Sequence, residues 1–182
     1  MRKKILIVLA AIAAILVVFA IVVALQPSEV RVVRSITIAA PAPAVFAQVN
    51  DFHKWEAWSP WAKLDPAAKV TFEGTPAGQG AVFTWAGNDE VGEGRMTLME
   101  SRPSDQIRIE VAFVKPFEGS SSSEFTFKPD GNQTLVTWTT TGRNNFIGKA
   151  FCLFFDPEEM LGGTLEKGLA QLKSVAEAAA GG

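Results

Sequence analysis

Hydrophobic positions follow three rhythms along the 182 residues of this chain. From Ile5 to Leu25 every residue is Ile, Leu, Val, Ala or Phe. Between Val30 and Thr141 apolar residues mostly alternate with polar ones, the period of a strand with one buried face. From Thr164 to Ala178 they recur every three or four residues: Leu165, Gly168, Leu169, Leu172, Val175 and Ala176 fall on one side, with Glu166, Lys167, Lys173 and Glu177 on others, as in an amphipathic helix.

The alternating region divides at its turn signals. Strands are predicted over Val30–Ala39, Lys69–Glu73, Gly80–Ala86, Val91–Glu100, Gln106–Val114, Ser123–Lys128 and Thr134–Thr141, separated by stretches such as GTPAGQG, AGND, SRPSD and KPDGN. Pro41 and Pro43 introduce a short helix over Ala44–Val49, and a second covers Phe52–Trp58, ended by Ser59-Pro60. The patches APAPA (40–44), SSSS (120–123) and AEAAAGG read as turns or frayed ends. Closely spaced strands with short turns imply an antiparallel meander. One face of each is apolar: Phe83 with Trp85, Met96 with Leu98, Ile109, Val111 and Phe113 after Ile107, Phe125 with Phe127, and Val136 with Trp138. The last helix is the cover such a face needs. The fold class is α+β.

The first run is long enough to cross ~30 Å of hydrocarbon as a helix. Fifteen of its 21 residues are Leu, Ile, Phe or Val, worth about −4 to −9 kcal/mol as an upper bound on insertion. Arg2, Lys3 and Lys4 precede it and Gln26-Pro27-Ser28-Glu29 follow, so the charge bias puts the N-terminus in the cytoplasm. The run exceeds a usual signal-peptide core, and neither an A-x-A-like site nor a lipobox cysteine follows; it is read as a retained anchor rather than a cleaved leader. The expected organisation is a cytoplasmic start (1–4), a membrane span (5–25), a linker (26–29), an extracytoplasmic domain (30–178) and a flexible tail (179–182) of a single-pass protein in a bacterial cytoplasmic membrane.

Without the three leading basic residues, 14 Lys and Arg stand against 19 Asp and Glu, a net charge near −5. An acidic domain with no basic stripe is a poor partner for nucleic acid. One cysteine, Cys152, excludes an intrachain disulfide and a multi-cysteine metal site. No cofactor or metal is expected.

The order of elements, together with RSITIAAPAPAVFAQVNDFHKWEAWSPW (34–61) and the closing GGTLEKGLAQLKSVAE (162–177), resembles the polyketide cyclase/dehydrase-like branch of the START-like (SRPBCC) superfamily. The likeness spans about Val30 to Glu177. It implies a helix-grip fold, in which a curved antiparallel sheet wraps the long helix around a cavity. Families of this type bind lipids, sterols, polyketides or plant hormones, and some are cyclases or dehydratases; fold alone does not choose among these.

A cavity of that kind would be lined by the strand-face residues named above, by Trp55 and Trp58, by Phe151 before the last helix, and by Leu165 and Leu169 on it. Trp55, Trp58 and Trp61 step by three, so the first two share a helical face; they serve as core that pins short helices, or as cavity wall. His53, Glu93 and Arg95 are the candidate polar hooks. His53 has no nucleophile signature near it and reads as a surface residue; Glu93 and Arg95 read as a pair on the outer face. Asp156, Glu158 and Glu159 are charges for a helix N-terminus rather than metal ligands, the glycines of VGEGRM mark a bulge or a close-packing site, and Asn132-Gln133-Thr134 is formally a glycosylation sequon. The greasy stretch Asn145–Leu161 is a linker over the open end of the sheet, a lid, or a patch against the membrane.

The expected function is a membrane-tethered domain binding a small hydrophobic molecule or lipid in an internal cavity without catalysis. The alternatives are a polyketide cyclase or dehydratase, which needs Glu93, Arg95 or His53 pointing inward, and an interaction scaffold with a filled core.

Overall fold

The alternating stretches all become strands: β1 (Glu29–Ile38), β2 (Lys69–Gly74), β3 (Ala81–Ala86), β4 (Glu93–Arg102), β5 (Gln106–Lys115), β6 (Gly119–Asp130) and β7 (Gln133–Arg143). The helices are α1 (Arg2–Leu25), α2 (Ala42–Val49), α3 (Phe146–Cys152) and α4 (Pro157–Gly181), with a 3-10 helix over Phe52–Ala57. This is a computed structural model, which describes residues 2–116 and 118–181; the outermost residues of the expected cytoplasmic start and tail, 1 and 182, lie outside these. The strands form one antiparallel sheet in the order β1-β7-β6-β5-β4-β3-β2. β1 thus closes onto the last strand rather than onto the second, and the remaining strands follow as a meander.

Two expectations need correction. The SSSS stretch is not a turn: Ser120–Ser123 lie in β6 and pair with β5, and Ser121–Ser123 also pair with β7. Serine has little strand preference of its own, but here ladders on both sides determine its conformation. The last helix also begins two turns earlier than its periodicity shows and takes in residues expected as a tail. Pro157 starts it, the Asp156 carboxylate accepts from the Glu158 N–H at 2.8 Å, and Glu158 and Glu159 occupy its positive first turn.

α4 runs along β1. Near its start, Arg34 donates to Glu166 at 2.6 Å and to Glu158 at 2.7 Å. Near its end, Lys173 donates to the Thr37 carbonyl at 2.8 Å, and Glu177 accepts from the Ala39 N–H at 2.6 Å. Gly162 lets the helix settle on the guanidinium, since a Cβ there would lie 1.9 Å from an Arg34 nitrogen. These contacts also appear in the ionisation of the two groups. Hydrogen bonds to Glu158 and Glu166 raise Arg34 above its ordinary value. The Lys173 ammonium and the Ala39 N–H lower Glu177 below the usual carboxylate value.

Candidate functional site

The register places the inward side chains in rows across the sheet. One row runs Phe127–Val136–Ile36 and the next Ile107–Phe125–Trp138–Arg34. Then come Leu98–Ile109–Ser123–Thr140–Val32 and Phe72–Phe83–Met96–Val111–Ser121–Gly142–Val30. The last is Val70–Trp85–Gly94–Phe113.

The first rows are closed. Phe125 and Trp138 stack at 4.7 Å, Trp58 meets both edge-on at about 6 Å, and Trp61 meets Trp138 at 5.8 Å. Above Trp138 lies Gly168 of α4, where a Cβ would come within 2.8 Å of the indole and 3.0 Å of Pro60. The 3-10 helix is held down by its tryptophans. Trp55 and Trp58 share a face with centroids 4.6 Å apart, and their N–H groups donate to the Val49 and Gln48 carbonyls at 2.9 and 3.1 Å. Those carbonyls end α2 and have no partner within the helix. Of the expected lining, then, Trp55, Trp58, Leu98, Ile109, Val111, Phe125, Phe127, Val136, Trp138, Leu165 and Leu169 are buried against one another as core. The indole and phenyl rings take up the space between α4 and this half of the sheet.

The last two rows are open except at Val111, which is buried with the core. Phe83, Trp85 and Met96 are half-buried, and Phe72 and Phe113 are each 41% exposed. They form a continuous aromatic shelf: Phe72 to Phe83 is 5.5 Å, Phe83 to Trp85 6.1 Å, and Trp85 to Phe113 6.1 Å. Phe83 touches the closed core through Phe52 at 6.1 Å. The glycines of VGEGRM build this shelf. A Cβ on Gly94 would lie 2.4 Å from Trp85, so the indole lies across that position, held by donation to the Val91 carbonyl at 2.9 Å. Gly92 has φ +64° and meets the Lys115 carbonyl where a side chain would stand, beside a register shift between Glu93 and Gly94. Towards β7 the shelf passes into hydroxyls. Ser123 contacts Thr140 and accepts from the Trp138 N–H, both at 3.3 Å, and Ser121 lies one row nearer the mouth.

Of the three polar hooks, Glu93 and Arg95 lie away from this shelf and His53 borders it. Glu93 pairs with Ala86 on the outer face and takes an ion pair from Lys115 at 2.6 Å. Arg95 is in line with Thr84 and Ala112 on that same face, and is exposed. His53 is at the rim, its ring stacked 4.0 Å from Phe72 and its Nδ1 2.9 Å from Asp51, whose carboxylate also accepts from the His53 N–H. Phe151 is likewise outside the grip: it lies on α3, about half exposed, stacked on Phe155 at 4.3 Å. Phe72 and the hydroxyl strip were missed from sequence. The first alternates with Lys69, Thr71 and Glu73 in a predicted strand but is not among the expected lining. Of the second, Ser121 falls in the SSSS stretch read as a turn, whereas Ser123 and Thr140 fall in predicted strands. Among the described residues, no three His, Cys, Asp or Glu side chains converge as metal ligands.

Two open depressions stand out elsewhere. One, of about 200 Å³, is bordered by Gln26, Val30, Asn144, Cys152 and Glu158, where α1 meets the domain. The other adjoins Gln48, His53 and Glu56 on the outside of the 3-10 helix. The first lies between β1 and the start of α4, outside the packed part of the grip, and the second is away from α4.

A bent antiparallel sheet gripping a long C-terminal helix, with an apolar shelf open at one end, defines a helix-grip domain of the START-like class. A family model described as polyketide cyclase / dehydrase and lipid transport matches residues 29–177, and the chain belongs to that family. A search of the curated proteins finds no match. Among solved structures, it is similar to a protein of Chromobacterium violaceum, at 17% identity and TM-score 0.58, over 84% of this chain and 99% of that one. It is also similar to the Aha1 dimer of Colwellia psychrerythraea (16%, 0.59, 81% and 96%). A third is the di-domain ARO/CYC StfQ of the steffimycin biosynthetic pathway (14%, 0.60, 85% of this chain and 52% of that one). At these identities the likeness is one of fold.

Proposed function

We propose that this chain is a membrane-tethered helix-grip domain that holds a small apolar molecule, of lipid type, against the shelf at the open end of its sheet, without chemistry of its own. The observation that carries this reading is the shelf itself. Five large apolar side chains, Phe72, Phe83, Trp85, Met96 and Phe113, stay partly exposed on the inner face of the grip while the adjoining rows are sealed. Contiguous apolar surface left open beside a closed core is the usual mark of a binding site. The rows of the shelf hold no titratable side chain, so an apolar guest would meet rings and a thioether, with the Ser121 hydroxyl in the same row and the His53 ring at the rim against Phe72. The family's description, which includes lipid transport, agrees with this.

α1 supports the tether. It is 24 residues long, with a mean hydropathy of 3.5 in its most apolar stretch, long and apolar enough to cross a membrane. In this reading it is a retained anchor, N-terminus inward.

The same description also names cyclase and dehydrase chemistry. For this chain that alternative requires an acid or base at the shelf; Glu93 and Arg95 lie on the outer face, and His53, at the rim against Phe72, is the one of the three that borders it. Native mass spectrometry of the full chain, released from a mild detergent, tests the proposal. A retained apolar adduct that is lost in Trp85→Ser supports it. A protein that carries nothing, and takes up nothing from a panel of fatty acids, phospholipids and sterols, leaves the scaffold reading in its place.

A further inference from the structure

The sheet has two ends, and the open one is the end that α1 leads into. β1 begins at Glu29, four residues after α1 stops, so the chain between Leu25 and Glu29 spans at most roughly 14 Å. The rows nearest that start are the two open ones, and α3 follows β7 at the same end. α3 and the turn after it expose Phe146, Ile147, Phe151, Phe154 and Phe155, with Ile147 at 77% and Phe154 at 72%, and the first turn of α4 adds Met160. Such a cluster at solvent would be costly in a protein that ends there.

One edge of it touches α1, while the rest stays open. Phe154 packs on Phe19 of α1 at 6.5 Å, and Lys149 donates to the Ala24 carbonyl at 3.2 Å, one of the carbonyls that the end of α1 leaves unpaired. Phe19 lies six residues before the last residue of α1, a depth of about 9 Å at 1.5 Å per residue. With α1 across a bilayer, Phe154 stands beside it below the level where the helix emerges, and Lys149 sits at the emergence itself. That is the arrangement of an interfacial helix, apolar side chains in the acyl boundary and a cation at the headgroups.

We infer that α3 and the turn after it are a second membrane contact, inserted into the leaflet from which α1 emerges, and that this contact holds the open end of the grip at the lipid surface, so that the guest is taken from that leaflet rather than from water. The inference rests on the proposed tether and binding site and names the source of the ligand. The contact is a tilted one. The β3–β4 turn at the same end carries Asp89 and Glu90, which resist insertion, so the α3 side leads and the shelf faces the headgroups obliquely.

The test uses the full chain in vesicles of mixed phosphatidylcholine and phosphatidylglycerol, in a Cys152→Ser background. An environment-sensitive fluorophore is attached through Phe154→Cys, through Ile147→Cys as a second position in case the first disturbs folding, or through Lys128→Cys at the opposite end of the sheet. The expected result is a blue-shifted emission at 154 and 147, quenched by lipids spin-labelled near the headgroup at least about twofold more than at 128. Equal quenching at all three positions overturns the inference. So does shielding that grows with the protein-to-lipid ratio and is insensitive to the spin-labelled lipids, because a second copy of the chain would then be the cover. Uptake of a pyrene-labelled phospholipid by the same vesicle-bound protein, compared with Trp85→Ser, is scored separately: it decides the binding site, while the quenching decides the contact.

Discussion

Strand β5 carries the two halves of the grip side by side. Ile107, Ile109, Val111 and Phe113 point the same way at alternate positions, yet their exposure is 0, 0, 8 and 41%. Nothing in the strand itself changes along that line. What changes is the cover: Ile107 and Ile109 lie in the same buried cluster as Trp58, Phe125, Trp138 and the inner face of α4, whereas among the described residues Phe113 has only Trp85 as an aromatic neighbour. A period of two identifies an apolar face, and whether that face is core or site depends on elements far away in the chain.

The largest effect should come from opening the closed half. Trp138→Ala removes a ring that contacts Trp58, Trp61 and Phe125 and lies against Gly168 of α4, and should cost about 3–5 kcal/mol. Chemical denaturation of the full chain in a nanodisc would read this as a lower midpoint. A loss below about 1 kcal/mol would mean that the closed half is looser than its packing indicates.

Gly94→Val works on the boundary between the halves. Its side chain must displace the Trp85 indole, which lies where the first carbon would go, at about 1–3 kcal/mol for overpacking. Binding of an apolar probe should weaken together with stability, because the same indole forms the shelf. Phe113→Ser separates the two properties. The ring is already 41% exposed, so stability should fall by only about 1 kcal/mol, while affinity for a pyrene-labelled lipid should fall about tenfold, the equivalent of 1.4 kcal/mol of contact. A Phe113→Ser protein that unfolds as readily as Trp138→Ala would erase the distinction between the halves.

Sequence pattern reached the fold further than the site, for a physical reason. Every strand, α2, the 3-10 helix and the gripping helix could be read from local rhythm and turn chemistry, and the glycines of VGEGRM were legible as a bulge and a close approach. Glu93 and Arg95 were legible as outward residues because they alternate with Met96 and Leu98. The closure of the core was not legible. It depends on Trp58 and Trp138, 80 positions apart in the chain, meeting at 6.0 Å under a helix that comes later still. Ser121 and Ser123 escaped for the converse reason, since serine reveals little until its neighbours in the sheet are known.

The smallest effect sharpens the comparison by acting on one half alone. Glu177 joins α4 to β1 through Lys173 and the Ala39 N–H, and both partners hold its carboxyl below the ordinary value of 4.5. A carboxyl depressed in the folded state stabilises fully above its unfolded value, and that contribution is lost as the pH falls through the folded one. Thermal stability should therefore be insensitive to this group between pH 5 and 7 and decline below about pH 4.5. Glu177→Gln should start lower at neutral pH and show a shallower acid limb. Since this clamp is at the far end of α4 from the shelf, binding of the pyrene-labelled lipid at pH 5 should be the same in Glu177→Gln as in the unaltered chain. A matching loss of binding would show that the seal under α4 and the open shelf respond as one unit.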